Sequence, residues 1–119
     1  MLKIGTDIVS IERIRHSKER FGKRFLRRYL NENEYESKLS ESSLAGYWAA
    51  KEAIAKALGC GIGSELSFHD IHLYKDSKGA PSFTLSPEAA TRFKIRQSSL
   101  SISHDAGFAV AVVIIELDS

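Results

Sequence analysis

The 119-residue sequence predicts a single α+β domain (residues 1–119) with a small, largely antiparallel β-sheet and helices packed on one face. Three observations carry this prediction. A short apolar run opens the chain, LKIGTDI from Leu2 to Ile8. An alanine-rich stretch, LAGYWAAKEAIAKALG, follows in the middle. Two strand-like runs, Leu100 to His104 and Phe108 to Leu117, close the chain around the turn Asp105-Ala106-Gly107. Strands adjacent in sequence and joined by short turns pair antiparallel, and a chain of this length has no room for a second independent core.

Each element has a local reason. In the first strand, Gly5 permits close backbone approach. Ser10 is placed to cap a helix whose Ile11 and Ile14 fall at helical spacing. Gly22 interrupts that helix, and Phe21, Phe25, Leu26 and Tyr29 then form an apolar stripe between arginines. Asn31 begins a polar stretch that reads as a short acidic helix and a loop. Ser43 is expected to cap the central helix, Leu44 to Gly59, which is rich in alanine and stops at a glycine. Gly61 and Gly63 mark a loop. A strand is expected over His69 to Lys75, a turn over Asp76 to Gly79 and a second strand over Ser82 to Leu85. Ser86-Pro87-Glu88 opens a short helix, with proline in its first turn.

Composition narrows the setting. The single cysteine, Cys60, excludes an internal disulfide and suits a reducing compartment. Asp7 and Glu12 break the apolar stretch that a signal peptide would need. The longest apolar run, Ala106 to Ile115, falls well short of the ~20 residues of a membrane helix. A cytoplasmic protein without membrane contact is therefore expected. The formal net charge of +2 conceals an asymmetry. Between Ile11 and Leu30 lie Arg13, Arg15, Lys18, Arg20, Lys23, Arg24, Arg27 and Arg28, against only Glu12 and Glu19. Such a patch attracts an anionic partner, or else forms a solvated helical face.

The residues able to carry chemistry are few. Asp7 ends the first strand and Glu52 lies in the central helix. Two carboxylates from separate elements can hold magnesium, which prefers oxygen ligands and completes its shell with water and substrate phosphates. Taken singly, Asp7 reads equally well as a turn or cap residue. Glu52 alone reads better as half of an i,i+4 ion pair with Lys56. At about 100° per residue, Glu52 and Lys56 share a helix face and Lys51 points about a quarter turn away. No His/Cys grouping has zinc spacing. Ser101, Ser103 and His104 offer phosphate-binding donors at a strand end, without the G-x-S-x-G elbow of a serine hydrolase. Neither a Walker A loop nor a G-x-G-x-x-G fingerprint occurs.

Three segments together resemble the motifs of the holo-acyl-carrier-protein synthases, the short bacterial members of the 4'-phosphopantetheinyl transferase superfamily. They are IGTDIVSIERI (Ile4 to Ile14), WAAKEAIAKALGCGIG (Trp48 to Gly63) and SISHDAGFAVAVV (Ser101 to Val113). The connecting segments RFLRRYLNENE and GAPSFTL are also similar to that family, so the likeness runs nearly end to end.

The resemblance implies the 4'-phosphopantetheinyl transferase fold and a homotrimer with active sites at subunit interfaces. It implies a magnesium-dependent transfer of phosphopantetheine from coenzyme A to a serine of apo acyl carrier protein, in fatty acid biosynthesis. Matched residue by residue, it makes Asp7 and Glu52 the Mg2+ ligands and sets Lys56 beside the diphosphate. It places Ser103 and His104 near the 3'-phosphate, with Pro81 in a loop near the adenine. Arg13 would face the acidic carrier, with Arg20 and Arg24 as helpers. Two positions depart from the family pattern: Trp48 replaces a smaller aromatic, and Asp105 follows the Ser-His pair where a small hydroxyl residue is commoner. Three other readings compete: a non-catalytic carrier-binding module, a diphosphate hydrolase using water, and a nucleic-acid binder. The acidic remainder of the chain and the absence of a nucleic-acid motif speak against the last.

Overall fold

The computed structural model describes residues 1–118. The chain runs β1 (Leu2–Ser10), α1 (Ile11–Phe21), α2 (Lys23–Tyr29), α3 (Glu32–Glu36), α4 (Glu41–Ala57), a single 3-10 turn (Phe68–Asp70), β2 (Ile71–Lys75), β3 (Pro81–Leu85), α5 (Pro87–Arg92), β4 (Ile95–Asp105) and β5 (Phe108–Leu117). The α+β class holds and every strand pair is antiparallel. The expected sheet divides in two: a three-stranded sheet of order β1-β5-β4 and a separate β2-β3 hairpin.

The capping chemistry explains most boundaries. Ser10 accepts from the Arg13 N–H, as its position before α1 requires. Gly22, at φ 58°, ends α1 and lets α2 leave in a new direction. The central helix starts three residues earlier than the sequence reading had it. Ser40, not Ser43, is the cap, and its Oγ accepts from the Ser43 N–H at 3.1 Å. Leu39 and Leu44 flank this cap at the spacing of a hydrophobic staple, a signal that an expected loop over these residues conceals. Strand β4 likewise starts at Ile95 rather than Leu100. After the half-buried Ile95, its extra residues Arg96 to Ser99 are polar and exposed, so pairing with β5 holds them extended.

One face of the three-stranded sheet carries α4. Small residues on both sides make this packing close: Ala45, Ala49, Ala53 and Ala57 of the helix and Ala109 and Ala111 of β5 are all buried. Gly46 of α4 sits over Ile102 of β4, whereas Ala53 and Ala57 sit over Gly5 of β1. The helix therefore crosses from one edge strand to the other. The opposite face of the sheet is bare and apolar. Leu2, Ile4 and Ile8 of β1 are each more than 60% exposed, and Phe108, Val112 and Ile114 of β5 join them.

Beneath α2, α3 and the 3-10 turn lies a buried ion pair. Lys51 Nζ donates to Glu34 Oε1 at 2.8 Å and to the Tyr29 and Phe68 carbonyls at 2.8 and 3.2 Å. Glu34 also accepts from the Asn31 and Leu73 N–H groups, so both charges are fully hydrogen-bonded. Burial lowers the pKa of Lys51, and Glu34 partly offsets that. Phe25, Tyr29, Trp48 and Phe68 pack over the same region with ring centroids 4.9–6.1 Å apart.

Candidate active site

Folding brings Asp7, Glu52 and Lys56 together. Alternation along β1 points Gly5, Asp7 and Val9 toward α4, and the Glu52 and Lys56 side chains lie one helical turn apart on that helix. Lys56 Nζ donates to Asp7 Oδ1 at 3.0 Å and to the Thr6 carbonyl at 3.1 Å. The i,i+4 pair between Glu52 and Lys56 does not form; Asp7 takes the ammonium instead. Burial and the neighbouring Asp7 charge raise the Glu52 pKa above the usual carboxylate range, and Lys56 pulls it back in part. Two carboxylates from separate elements, near enough for one charge to act on the other, form an all-oxygen donor pair that fits magnesium. Among the described residues no cluster of three or more His, Cys, Asp or Glu exists, so further ligands would come from substrate and water.

A second feature lies at the other edge of the sheet. A groove of about 220 Å³ opens between the first turns of α4, the β2-β3 hairpin and β4. His104, Lys75, Ser42 and Ser43 supply its polar groups, and Tyr47, Tyr74, Pro81 and Ile102 supply apolar walls. His104 and Pro81 were expected at such a place; Lys75 and the two serines were not. Only the return of the β2-β3 hairpin beside β4 brings them to one groove, and no local sequence signal marks that.

Ser103 does not join His104 there. In β4 successive side chains point to opposite faces. Ser103 pairs with Val110 and His104 with Ala109, so Ser103 stands on the bare face and His104 on the face that carries α4. Within one chain the two side chains therefore leave β4 on opposite faces. Asp105 pairs with Phe108 and shares the face of Ser103, which removes its charge from the groove. Trp48 lies in the aromatic cluster, away from the groove lining.

The basic patch is narrower than its composition. Arg15 is tied to Glu12 and Glu19, and Arg27 to Glu32. Arg13, Arg20 and Arg24 are exposed and make no ion pair among the described residues, and the Arg20 guanidinium rests 5.2 Å from the Phe21 ring centroid. Arg13 and Arg20 are seven residues apart and share a face of α1.

The chain is similar to known proteins along nearly its whole length. The sequence profile of the 4'-phosphopantetheinyl transferase superfamily matches residues 3–113. A holo-[acyl-carrier-protein] synthase from Sulfurovum sp. is 54% identical over 118 residues, 99% of each chain. The crystal structure of the Helicobacter pylori holo-[acyl-carrier-protein] synthase in complex with coenzyme A superposes with a TM-score of 0.90 at 53% identity, covering 95% of this chain and 99% of that one. The Bacillus anthracis synthase in complex with CoA (3',5'-ADP) superposes at 0.82 with 37% identity, covering 98% and 96%. With its fold and its sequence in agreement, the chain belongs to the 4'-phosphopantetheinyl transferase superfamily.

Proposed function

We propose that this protein transfers the 4'-phosphopantetheine group of coenzyme A to a serine of apo acyl carrier protein, in support of fatty acid biosynthesis. The other product is adenosine 3',5'-bisphosphate, and the reaction depends on Mg2+. The observation that carries this reading is the Asp7–Glu52–Lys56 cluster. The relatives named holo-[acyl-carrier-protein] synthase support the same chemistry.

Asp7 and Glu52 are the residues that would hold the metal. Magnesium bound there would polarise the diphosphate and stabilise the charge that develops on it. The Lys56 ammonium neutralises charge on the departing phosphate. Glu52, made more basic by burial, accepts the serine proton through a water as the hydroxyl oxygen attacks the β-phosphorus. The bond from that phosphorus to the bisphosphate then breaks. Most of the rate comes from positioning and electrostatics, as in other phosphoryl transfers. His104 and Lys75, beside the first turn of α4, form the 3'-phosphate subsite, where helix N–H groups favour an anion. Pro81 and Tyr74 flank the adenine. Arg13, Arg20 and Arg24 face the acidic carrier.

The assembly we propose is a homotrimer with active sites between subunits. Asp7 and His104 lie on opposite edge strands with β5 between them, two interstrand spacings across and two residues along, roughly 12 Å apart, with α4 packed over that span. A cluster from one copy meeting the groove of another joins the two halves. The bare apolar face of the sheet provides the surface for such contact. No helix among the described residues is long and apolar enough to cross a membrane, and a cytoplasmic location is proposed with the lone cysteine in mind.

The deciding experiment is intact-mass spectrometry of an apo acyl carrier protein incubated with the enzyme, coenzyme A and Mg2+. The carrier should gain the mass of one phosphopantetheine group, and a chelator should prevent the gain. A carrier left unmodified by an enzyme that still binds coenzyme A would refute the reading.

A further inference from the structure

We propose that Gly5 is a positioning residue that sets the distance between Asp7 on β1 and the Glu52–Lys56 pair on α4. The proposal rests on the metal role assigned above to Asp7 and Glu52.

A Cβ at position 5 would lie 1.9 Å from the Ala53 carbonyl oxygen, 2.9 Å from the Ala53 carbonyl carbon and 2.9 Å from the Ala57 nitrogen. All three are backbone atoms of α4, so no rotamer change relieves the overlap. Either the strand or the helix must move by about 1.5 Å to restore ordinary contact. The placement of these contacts matters as much as their closeness. Ala53 follows Glu52 directly and Ala57 follows Lys56 directly. Gly5 and Asp7 lie on the same face of β1, two residues apart. The seam that only glycine allows is thus the fulcrum between the two halves of the cluster. A displacement of that size costs about 10²-fold in rate when it falls between reacting groups.

Gly46 is the built-in comparison. It belongs to the same helix and faces the same sheet, but at the other edge. The one atom within 4 Å of its added Cβ is Ile102 Cγ2, 2.9 Å away, a side-chain methyl of the far edge strand rather than the backbone beside Asp7. A methyl at Gly46 therefore leaves the Asp7 end of the helix in place.

The test is the binding of Mn2+ alone, read from the free-ion electron paramagnetic resonance signal, in wild type, Asp7→Asn, Gly5→Ala and Gly46→Ala. Thermal unfolding of each variant is followed in parallel. Gly5→Ala should weaken Mn2+ binding by about 10–100-fold, the range seen when groups that orient metal ligands are lost. Gly46→Ala should stay within about twofold of wild type. If Gly5→Ala does not fold, Ala57→Val opens the same seam from the helix side and should weaken binding in the same direction. A folded Gly5→Ala or Ala57→Val with wild-type Mn2+ affinity and only lowered stability overturns the proposal, because packing alone would then explain the glycine. Equal binding by wild type and Asp7→Asn overturns the metal reading itself, and the proposal with it.

Discussion

Lys56 Nζ lies 3.0 Å from Asp7 Oδ1, a contact that closes 49 residues of sequence and places an ammonium beside the first carboxylate of the site. The same lysine is half exposed and Asp7 nearly covered, so the pair sits at a rim where a charged substrate can approach. Its energy as a surface ion pair is small. Its value lies in where it holds the two charges.

Replacing Lys56 by alanine should therefore leave the fold nearly as stable as wild type while lowering kcat by about 10²–10³-fold, the usual cost of one transition-state donor. Asp7→Ala should abolish turnover and the response to Mg2+. Steady-state kinetics with coenzyme A varied at saturating carrier check both. Full activity in Asp7→Ala would refute the assignment.

Lys51, immediately before Glu52, has the opposite character. It is fully buried against Glu34. Lys51→Met should destabilise the protein by about 3–5 kcal/mol, because the Glu34 carboxylate would remain buried without its cation. Adding Glu34→Gln should recover part of that loss. Denaturant melts at neutral pH decide, and a single-variant loss below about 1 kcal/mol would contradict the account.

Asp70 links two turns. Its carboxylate accepts from the Ser67 N–H at 2.9 Å, the Ser86 hydroxyl at 2.7 Å and the Ser67 hydroxyl at 3.2 Å. The Ser67 backbone N–H is the main cause of a pKa below the usual carboxylate value, with the Ser86 hydroxyl next. The folded pKa is depressed, so the unfolded chain binds the proton more readily. The resulting stability is present above about pH 4 and is lost as pH falls through the folded pKa. The stability difference between wild type and Asp70→Asn should shrink accordingly on acidification. A difference that is flat from neutral pH into acid would rule this linkage out.

Arg13→Glu should raise KM for the acidic carrier and spare coenzyme A binding, because Arg13 lies on the open face of α1 and outside the groove. The wild-type KM for carrier should rise with salt, and the variant's should rise less. Salt-independent carrier use by the wild type would contradict the steering role of the patch.

Ile4→Asp introduces a charge into the bare sheet face opposite Ile114. Light scattering should show a trimer for wild type and smaller species for the variant, with activity lost in parallel. A fully active wild-type monomer would exclude sites shared between subunits.

Local sequence determined much of this protein. Serine and glycine positions mark where α1 and α5 begin and α4 ends, since capping depends on the few residues at a helix terminus. The motif resemblance marked Asp7, Glu52 and Lys56 for the metal and diphosphate, and Ser103 and His104 for the 3'-phosphate, because chemistry restricts residue type more tightly than packing does. The partner of each charge was decided only by tertiary structure. On helix spacing alone Lys56 belongs to Glu52 and Lys51 points away with no partner assigned, yet the fold gives Lys56 to Asp7 and buries Lys51 against Glu34. Charges respond to every neighbour within a few ångströms, and those neighbours arrive from distant segments. Strand alternation likewise separates Ser103 from its sequence neighbour His104. A two-residue motif reads as a unit along the chain, but a sheet has two faces, and the pleat sends one residue to each.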